Sequence, residues 1–456
     1  MIPTAVLNVV GLTPAMVGPD TPHLQAFARE GAFAPLQTAF PAVTCTVQST
    51  FLTGLPPAGH GVVGNGWYFR DLAQVMFWRQ SNRLVSGEKV WDAARRRDPR
   101  ATCANMFWWF NMYGSVDWSV TPRPIYPADG RKIPDIYSAP AGLGDRLKAE
   151  MGEFPFFSFW GPAADIKSSA WIADASLAVA RWHDPSLLLV YLPHLDYNQQ
   201  RLGPSDERVR DDVRAIDAVC GRLIGGLRAL GRRVVVLSEY GITDVRGPIH
   251  INRILREAGL TAVREELGLE ALDPGASEAF AVADHQVAHV YVRRQDRVDD
   301  VRKMLERVDG VETVLDRPAQ RAAGVDHERS GDLVAVSSAD RWFTYYYWLD
   351  DAVAPDFART VDIHRKPGYD PAELFVDPAL KAPKLKVAAT LLKKKLGFRY
   401  LMNVIPLDAS LVRGSHGRLT DDPSAGPLLM SSEKRLVEQP VRATGVRDLI
   451  LRHLFD

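Results

Sequence analysis

Cysteine is scarce in this 456-residue chain. There are three, Cys45, Cys103 and Cys220, odd in number and far apart. That argues against a disulfide framework and against a zinc cluster built on thiolates. Neither charge sign is in surplus: Lys+Arg and Asp+Glu are equal at 55 each, so no global field selects nucleic acid or a membrane surface. No run approaches the roughly 20 apolar residues that cross a bilayer. The opening MIPTAVLNVVGLTP has no basic flank and a short apolar run, so it reads as a buried strand, not a signal peptide, and the cytoplasm is the expected location. The chain also lacks internal repeats and low-complexity tracts.

What is there suits one large α/β body with a sizeable insertion. Ala5 to Val10 is apolar apart from Asn8 and ends at Gly11; Leu187 to Leu192 and Val234 to Leu237 are similar runs. Such runs predict strands of a parallel sheet buried on both faces. Helical periodicity marks 22–28, ending at Gly31, and 211–230. Ligands in such folds bind at the carboxyl ends of the strands. From about Arg246 the texture changes, with strands expected at 287–292, 311–315 and 333–336, a helix at 298–307 and an aromatic run at 342–348. The expected division is a core of 1–245 plus 402–456 and an inserted smaller α+β lobe of 246–401. Residues 66–137 are aromatic, and the Pro-rich stretch Thr121 to Tyr137, with Arg123, Arg131 and Lys132, reads as a long ordered loop over a site. Segment 381–399 is a basic amphipathic helix, either a solvated face or a weak contact for an anionic membrane or partner.

The stretch Phe40 to Asn65, FPAVTCTVQSTFLTGLPPAGHGVVGN, crowds five hydroxyls, Thr44, Thr46, Ser49, Thr50 and Thr53, ahead of a Pro/Gly loop. A capped helix followed by a turn explains the pattern locally. A helix start also favours anions, and a Thr there can attack phosphorus once a metal or base lowers its pKa. Cys45 beside it reads as a small buried thiol.

Taken with three other strand ends, this block resembles the alkaline phosphatase superfamily, and within it the type I phosphodiesterase/nucleotide pyrophosphatase branch. The others are Gly11 with Thr21-Pro22-His23-Leu24, Asp196 to Pro204, and Ser238-Glu239-Tyr240-Gly241; Gly414-Ser415-His416-Gly417 is a fifth, weaker match. The resemblance implies an α/β/α sandwich with a largely parallel sheet, two divalent metals about 4 Å apart, and Thr44 as nucleophile. It also implies Asp196 and His416 as ligands of one metal, and Gln48, Asn65 and Arg123 as substrate contacts.

Several ligand positions depart from the family pattern. Val10 stands for an Asp, Gln200 for a His, and Glu239-Tyr240 for Asp-His. Asn8, Gln200 and His364 are weaker substitutes, and a Tyr ligates only as phenolate, from a pKa near ~10. At most one metal is therefore expected, on Asp196, Glu239 and His416, with Zn, Mn or Mg as candidates. The function implied is a metal-dependent phosphoric ester hydrolase or phosphoryl transferase. The alternative is a non-catalytic member of the fold that binds an anionic metabolite; a phosphomutase is a third option. Likeness to members of small operons containing a prenyltransferase implies a prenyl or secondary-metabolite phosphate as the small-molecule partner, and no nucleic acid.

Overall fold

Strand Thr4–Val9 is buried along its whole length, as a run apolar on both faces requires. In the computed structural model, which describes residues 1–129 and 131–456, it lies at the middle of a nine-stranded sheet. Leu187–Leu192 and Arg233–Leu237 flank it, both parallel to it. The sheet continues on one side through Cys103–Met106, Trp118–Pro122 and Ile136–Ala139, and on the other through Leu428–Ser431, Ala32–Gln37 and Val441–Arg442. Pairing is antiparallel where Leu428–Ser431 meets its two neighbours and at Ile136–Ala139, and parallel elsewhere. Helices Ile166–His183 and Val209–Ala229 pack on each other and on this sheet, while Thr44–Thr53, Val90–Arg97 and Val446–Phe455 form a second packed group. The expected fold class, a mainly parallel sheet between helical layers, is the one observed.

The Pro-rich stretch 121–137, expected as a long ordered loop, is the connection of a hairpin together with the strand ends that flank it. Trp118–Pro122 pairs antiparallel with Ile136–Ala139, and Ile125 bridges Ile133. Pro122 ends the inner strand of this pair, and Pro124, Pro127 and Pro134 lie in the connection between the strands, where no regular ladder needs their N–H; Gly130 lies outside the described residues.

A second, antiparallel sheet orders Ala279–Asp284, Val287–Val292, Leu333–Ser337 and Val311–Leu315. Helix Val298–Leu305 buries Val301 and Leu305 in the core of this sheet. The first two strands are joined by His285-Gln286, with His285 held at φ 62°. A non-glycine residue in that left-handed region is uncommon and is found where neighbouring contacts over-determine it. Here Gln286 N–H donates to His416 O at 2.8 Å and Phe343 N–H to His285 O at 2.7 Å. Val287, Val334 and Val336 share one core with Ala5 and Leu7, so the two sheets are packed together.

Helix Pro383–Lys395 falls within the expected basic segment, and Leu385, Leu391 and Leu392 on it are exposed. Among the described residues, no helix is long and apolar enough to cross a membrane.

Candidate active site

Helix Thr44–Thr53 is buried at every position, and its sequence explains how so polar a helix can be. Ser49, Thr50 and Thr53 donate their hydroxyls to the carbonyls of Cys45, Thr46 and Ser49, at 2.7, 3.1 and 2.7 Å. Side chains that satisfy themselves on the preceding turn need no outside partner. The helix stops at Gly54, whose φ of 71° lets its N–H close on Thr50 O at 2.8 Å. Of the five hydroxyls, Thr44 alone lines the large cavity that opens over the strand ends.

That cavity has a volume of about 710 Å³. At its buried end Thr44 Oγ1 lies 3.0 Å from the Tyr240 hydroxyl, which donates to Asp196 Oδ1 at 3.2 Å. The Tyr240 ring lies flat on His416, with centroids 3.6 Å apart and planes 7° off parallel. His416 donates from Nδ1 to Ala42 O at 2.8 Å, leaving Nε2 3.8 Å from Asp196 Oδ1. On its other side His416 meets the ring of His285 at 3.7 Å, and His285 stacks on Tyr369 at 3.6 Å. The row Tyr240, His416, His285, Tyr369 thus joins residues of both sheets' connections.

Glu239, on the strand end before Tyr240, is held by amides on one oxygen: Asn8 Nδ2 and Gln48 Nε2 both donate to its Oε1, while its buried Oε2 has no hydrogen-bond partner among the described residues. Gln48 Oε1 in turn accepts from Trp109 N–H at 2.7 Å. Asn8, one pleat back from the tip of the central strand, therefore reaches Glu239 and not the cavity. Burial pushes the Glu239 carboxyl up to about 8, against hydrogen bonds from Gln48, Asn8 and Thr44. Burial likewise pushes Asp196 up to about 7, opposed by Tyr240 and Gln200, and Asp284 up to about 6. The same desolvation holds His416 and His285 well below the usual imidazole range and Tyr240 well above the usual phenol range. Desolvation thus favours the neutral form of each of these groups.

Two of the expected substrate contacts are corrected. Gln48 is consumed by Glu239 and Trp109. Asn65 accepts from Cys45 N–H at 2.9 Å and donates to Asp284 Oδ1 at 3.1 Å; neither residue lines the cavity. The third, Arg123, does line it, as does His364, though on the outer wall and not beside Asp196. Asp196 and His416, the two residues expected on one metal, lie side by side, with His416 Nε2 3.8 Å from Asp196 Oδ1. Gln200 turns its amide nitrogen to Asp196 Oδ2 at 2.8 Å and gives its oxygen to the Tyr369 hydroxyl at 2.9 Å.

Tyr369 and the His285 turn were not legible as site residues. Tyr369 sits in Pro367-Gly368-Tyr369-Asp370, with no pattern that flags it; its loop is anchored by Lys366, buried with Asp370 at 2.6 Å and Glu373 at 2.8 Å. The Asp284-His285 pair lies at the end of a strand with no spacing that would aim it at the cavity. Trp78, Trp109, Trp160, Phe156 and Phe159 make the walls apolar.

The metal pair that the resemblance implies does not fit these residues. Among the described residues no group of three or more His, Cys, Asp and Glu side chains is placed to hold an ion. Of the two implied sets, one retains Asp196 and His416 with Gln200 engaged by Tyr369. The other has Glu239 bound to two amides and Tyr240 held as a neutral phenol, a poor ligand.

Residues 4–370 match the family model of type I phosphodiesterase / nucleotide pyrophosphatase. An uncharacterized pyrophosphatase/phosphodiesterase of Schizosaccharomyces pombe is 26% identical over 253 residues, 52% of this chain and 42% of the relative. The match thus spans less than half of that relative's length. Among solved structures, phosphonoacetate hydrolase from Sinorhizobium meliloti, in complex with phosphonoformate, superposes with a TM-score of 0.62 at 16% identity, covering 99% of this chain and 96% of that one. Murine ectonucleotide pyrophosphatase / phosphodiesterase 5, an inactive form in complex with AMP, gives 0.60 at 14% identity, covering 100% and 95%. At these identities the structures speak for the shared fold, and the family match over most of the chain decides the rest: the chain belongs to the type I phosphodiesterase / nucleotide pyrophosphatase family.

Proposed function

We propose that this chain is a hydrolase of small-molecule phosphoric esters in which Thr44 is the nucleophile. The observation that carries the reading is the line Thr44 Oγ1, Tyr240 hydroxyl, Asp196 carboxylate at the buried end of the cavity. Ionised Asp196 accepts the Tyr240 proton, and the phenol oxygen accepts that of Thr44, so the hydroxyl is oriented with its lone pairs toward the cavity. As Oγ1 forms its bond to phosphorus, the ester P–O bond breaks and the alcohol leaves, protonated by water. The Thr44 proton passes through Tyr240 to Asp196, a base with a pKa suited to neutral pH. Water then attacks the phosphorus of phospho-Thr44, the P–Oγ1 bond breaks, phosphate leaves, and Oγ1 takes its proton back from Asp196 through Tyr240. The aromatic walls suit an organic body such as a prenyl or other secondary-metabolite group. The ligands in the two solved relatives, phosphonoformate and AMP, are also small phosphorus anions.

The reacting end would lie at the seam between a core of 1–245 plus 402–456 and a lobe of 246–401. A single divalent ion on Asp196 and His416 would be the metal-assisted form of the same reading. The second reading, a binding protein that does not turn its ligand over, is favoured by the enclosure of Glu239 between Asn8 and Gln48. A weak contact of the 381–399 segment with anionic lipid accompanies either reading, and flotation with anionic liposomes at low salt tests it.

Aryl phosphomonoester and phosphodiester substrates, with mass spectrometry of the quenched protein, test the hydrolase reading. A phosphate adduct on Thr44, lost with the rate in Thr44→Ala, supports it. An unchanged rate in that variant removes Thr44 as nucleophile. Zn, Mn or Mg that raises the rate of chelator-treated protein identifies the metal-assisted form.

A further inference from the structure

Far from the buried end, the cavity rim carries cations without counter-ions. Arg79 and Arg123 are exposed and Lys132 is half-buried; all three line the cavity. They come from separate segments, one after strand Gln74–Phe77 and two on the edge hairpin, and among the described residues no carboxylate pairs with any of them. Arg365 on the facing loop does have one, Asp362, at 3.4 Å. Arg79 and Lys132 both act on one side chain: after burial, their charges are the main causes that lower the pKa of His364. The Nδ1 of His364 has no hydrogen-bond partner among the described residues. Like charges gathered at the mouth of an apolar-walled cleft repel one another and concentrate the field that an anion would meet.

We propose that Arg79 and Lys132, with Arg123 from the same hairpin as Lys132, form a second anion subsite at the rim. The preferred ligand then has two anionic groups separated by an apolar body: one for the Thr44 end and one, a phosphate or carboxylate, for the rim. This rests on the reading of the buried end as a phosphate site. The walls of Trp78, Trp109 and Trp160 between the two ends cover the connecting body.

The test measures binding, not turnover. A ladder of α,ω-alkane bisphosphonates is titrated into the full chain by calorimetry, each against the monophosphonate of equal length. One bisphosphonate length should bind about tenfold or more tightly than its monophosphonate, a gain expected of one charge-assisted contact. Arg79→Gln with Lys132→Gln should erase that gain while leaving monophosphonate binding unchanged, and added salt should shrink it. Equal binding of the two series overturns the subsite, as does a gain that survives in the double variant, or no binding of either series. A bisphosphonate preference together with no phosphate adduct on Thr44 leaves the subsite standing and removes the hydrolase reading.

Discussion

Tyr240 lies flat against His416 at 3.6 Å while its hydroxyl bridges Thr44 and Asp196. The ring and the hydroxyl therefore do separable things. Tyr240→Phe keeps the stack and removes the bridge. The expected result is a fall in kcat of about 100-fold with little change in melting temperature, the range for loss of a positioned proton relay. An unchanged kcat would mean that Thr44 does not act through Tyr240.

The bridge works only while Asp196 can accept a hydrogen bond as a carboxylate. Because burial raises its pKa to about 7, the rate should climb as pH rises through that value. Asp196→Asn should lower the rate and abolish this acid limb. A pH–rate profile of the wild type that is flat between about pH 5 and 9 contradicts the assignment.

Stability should run the other way. Asp284, Asp196 and Glu239 have folded pKa values of about 6, 7 and 8, above their unfolded values near ~4. A raised carboxyl stabilises fully below the unfolded value, and its contribution is lost as pH rises through the folded one. Between about pH 4 and 8 each such group costs on the order of 1 kcal/mol per unit over its own window. Glu239→Gln, which retains an acceptor for Asn8 and Gln48, should flatten this decline. Urea unfolding of both proteins across that range measures it, and equal slopes would show that Glu239 is not buried as an acid.

Lys366 faces Asp370 and Glu373 with all three side chains buried. Lys366→Met leaves two carboxyls without their cation, at a cost of about 3–5 kcal/mol in unfolding free energy. A loss below ~1 kcal/mol would mean that solvent reaches the cluster.

The proposed reaction has a metal-free form, through Tyr240 and Asp196, and a metal-assisted one. On the metal-free form, prolonged dialysis against chelator leaves both melting temperature and turnover unchanged. A drop in either, restored by one of the divalent ions, would reverse this.

The central strands could be read from the chain because apolar runs such as Ala5 to Leu7 and Leu187–Leu192 have few other places to go. The place of Thr44 at a helix start was legible from its flanking punctuation. Tyr240 was not: as a missing ligand it looked like a loss, and only the fold puts its hydroxyl on Thr44. Asn65 misled because its neighbourhood in sequence is the nucleophile block, whereas in space it faces Asp284, 219 positions away. His285 reaches the cavity from the hairpin of the smaller sheet and Tyr369 from the loop anchored by Lys366, long-range placements no local pattern encodes. The edge hairpin was hidden by its prolines, which end its inner strand at Pro122 and fill the connection, so that the stretch reads as loop.

The stacked row from Tyr240 to Tyr369 has a thermodynamic consequence. Tyr240 and His416 hang from the large sheet's side, His285 from the hairpin of the small one, and Tyr369 from the loop that Lys366 anchors. All four line the cavity. A molecule that fills it touches every part at once, so its binding free energy must oppose any parting of the two sheets. Ligand occupancy should therefore merge unfolding into a single cooperative transition, making the cavity's contents a mechanical staple as well as a cargo.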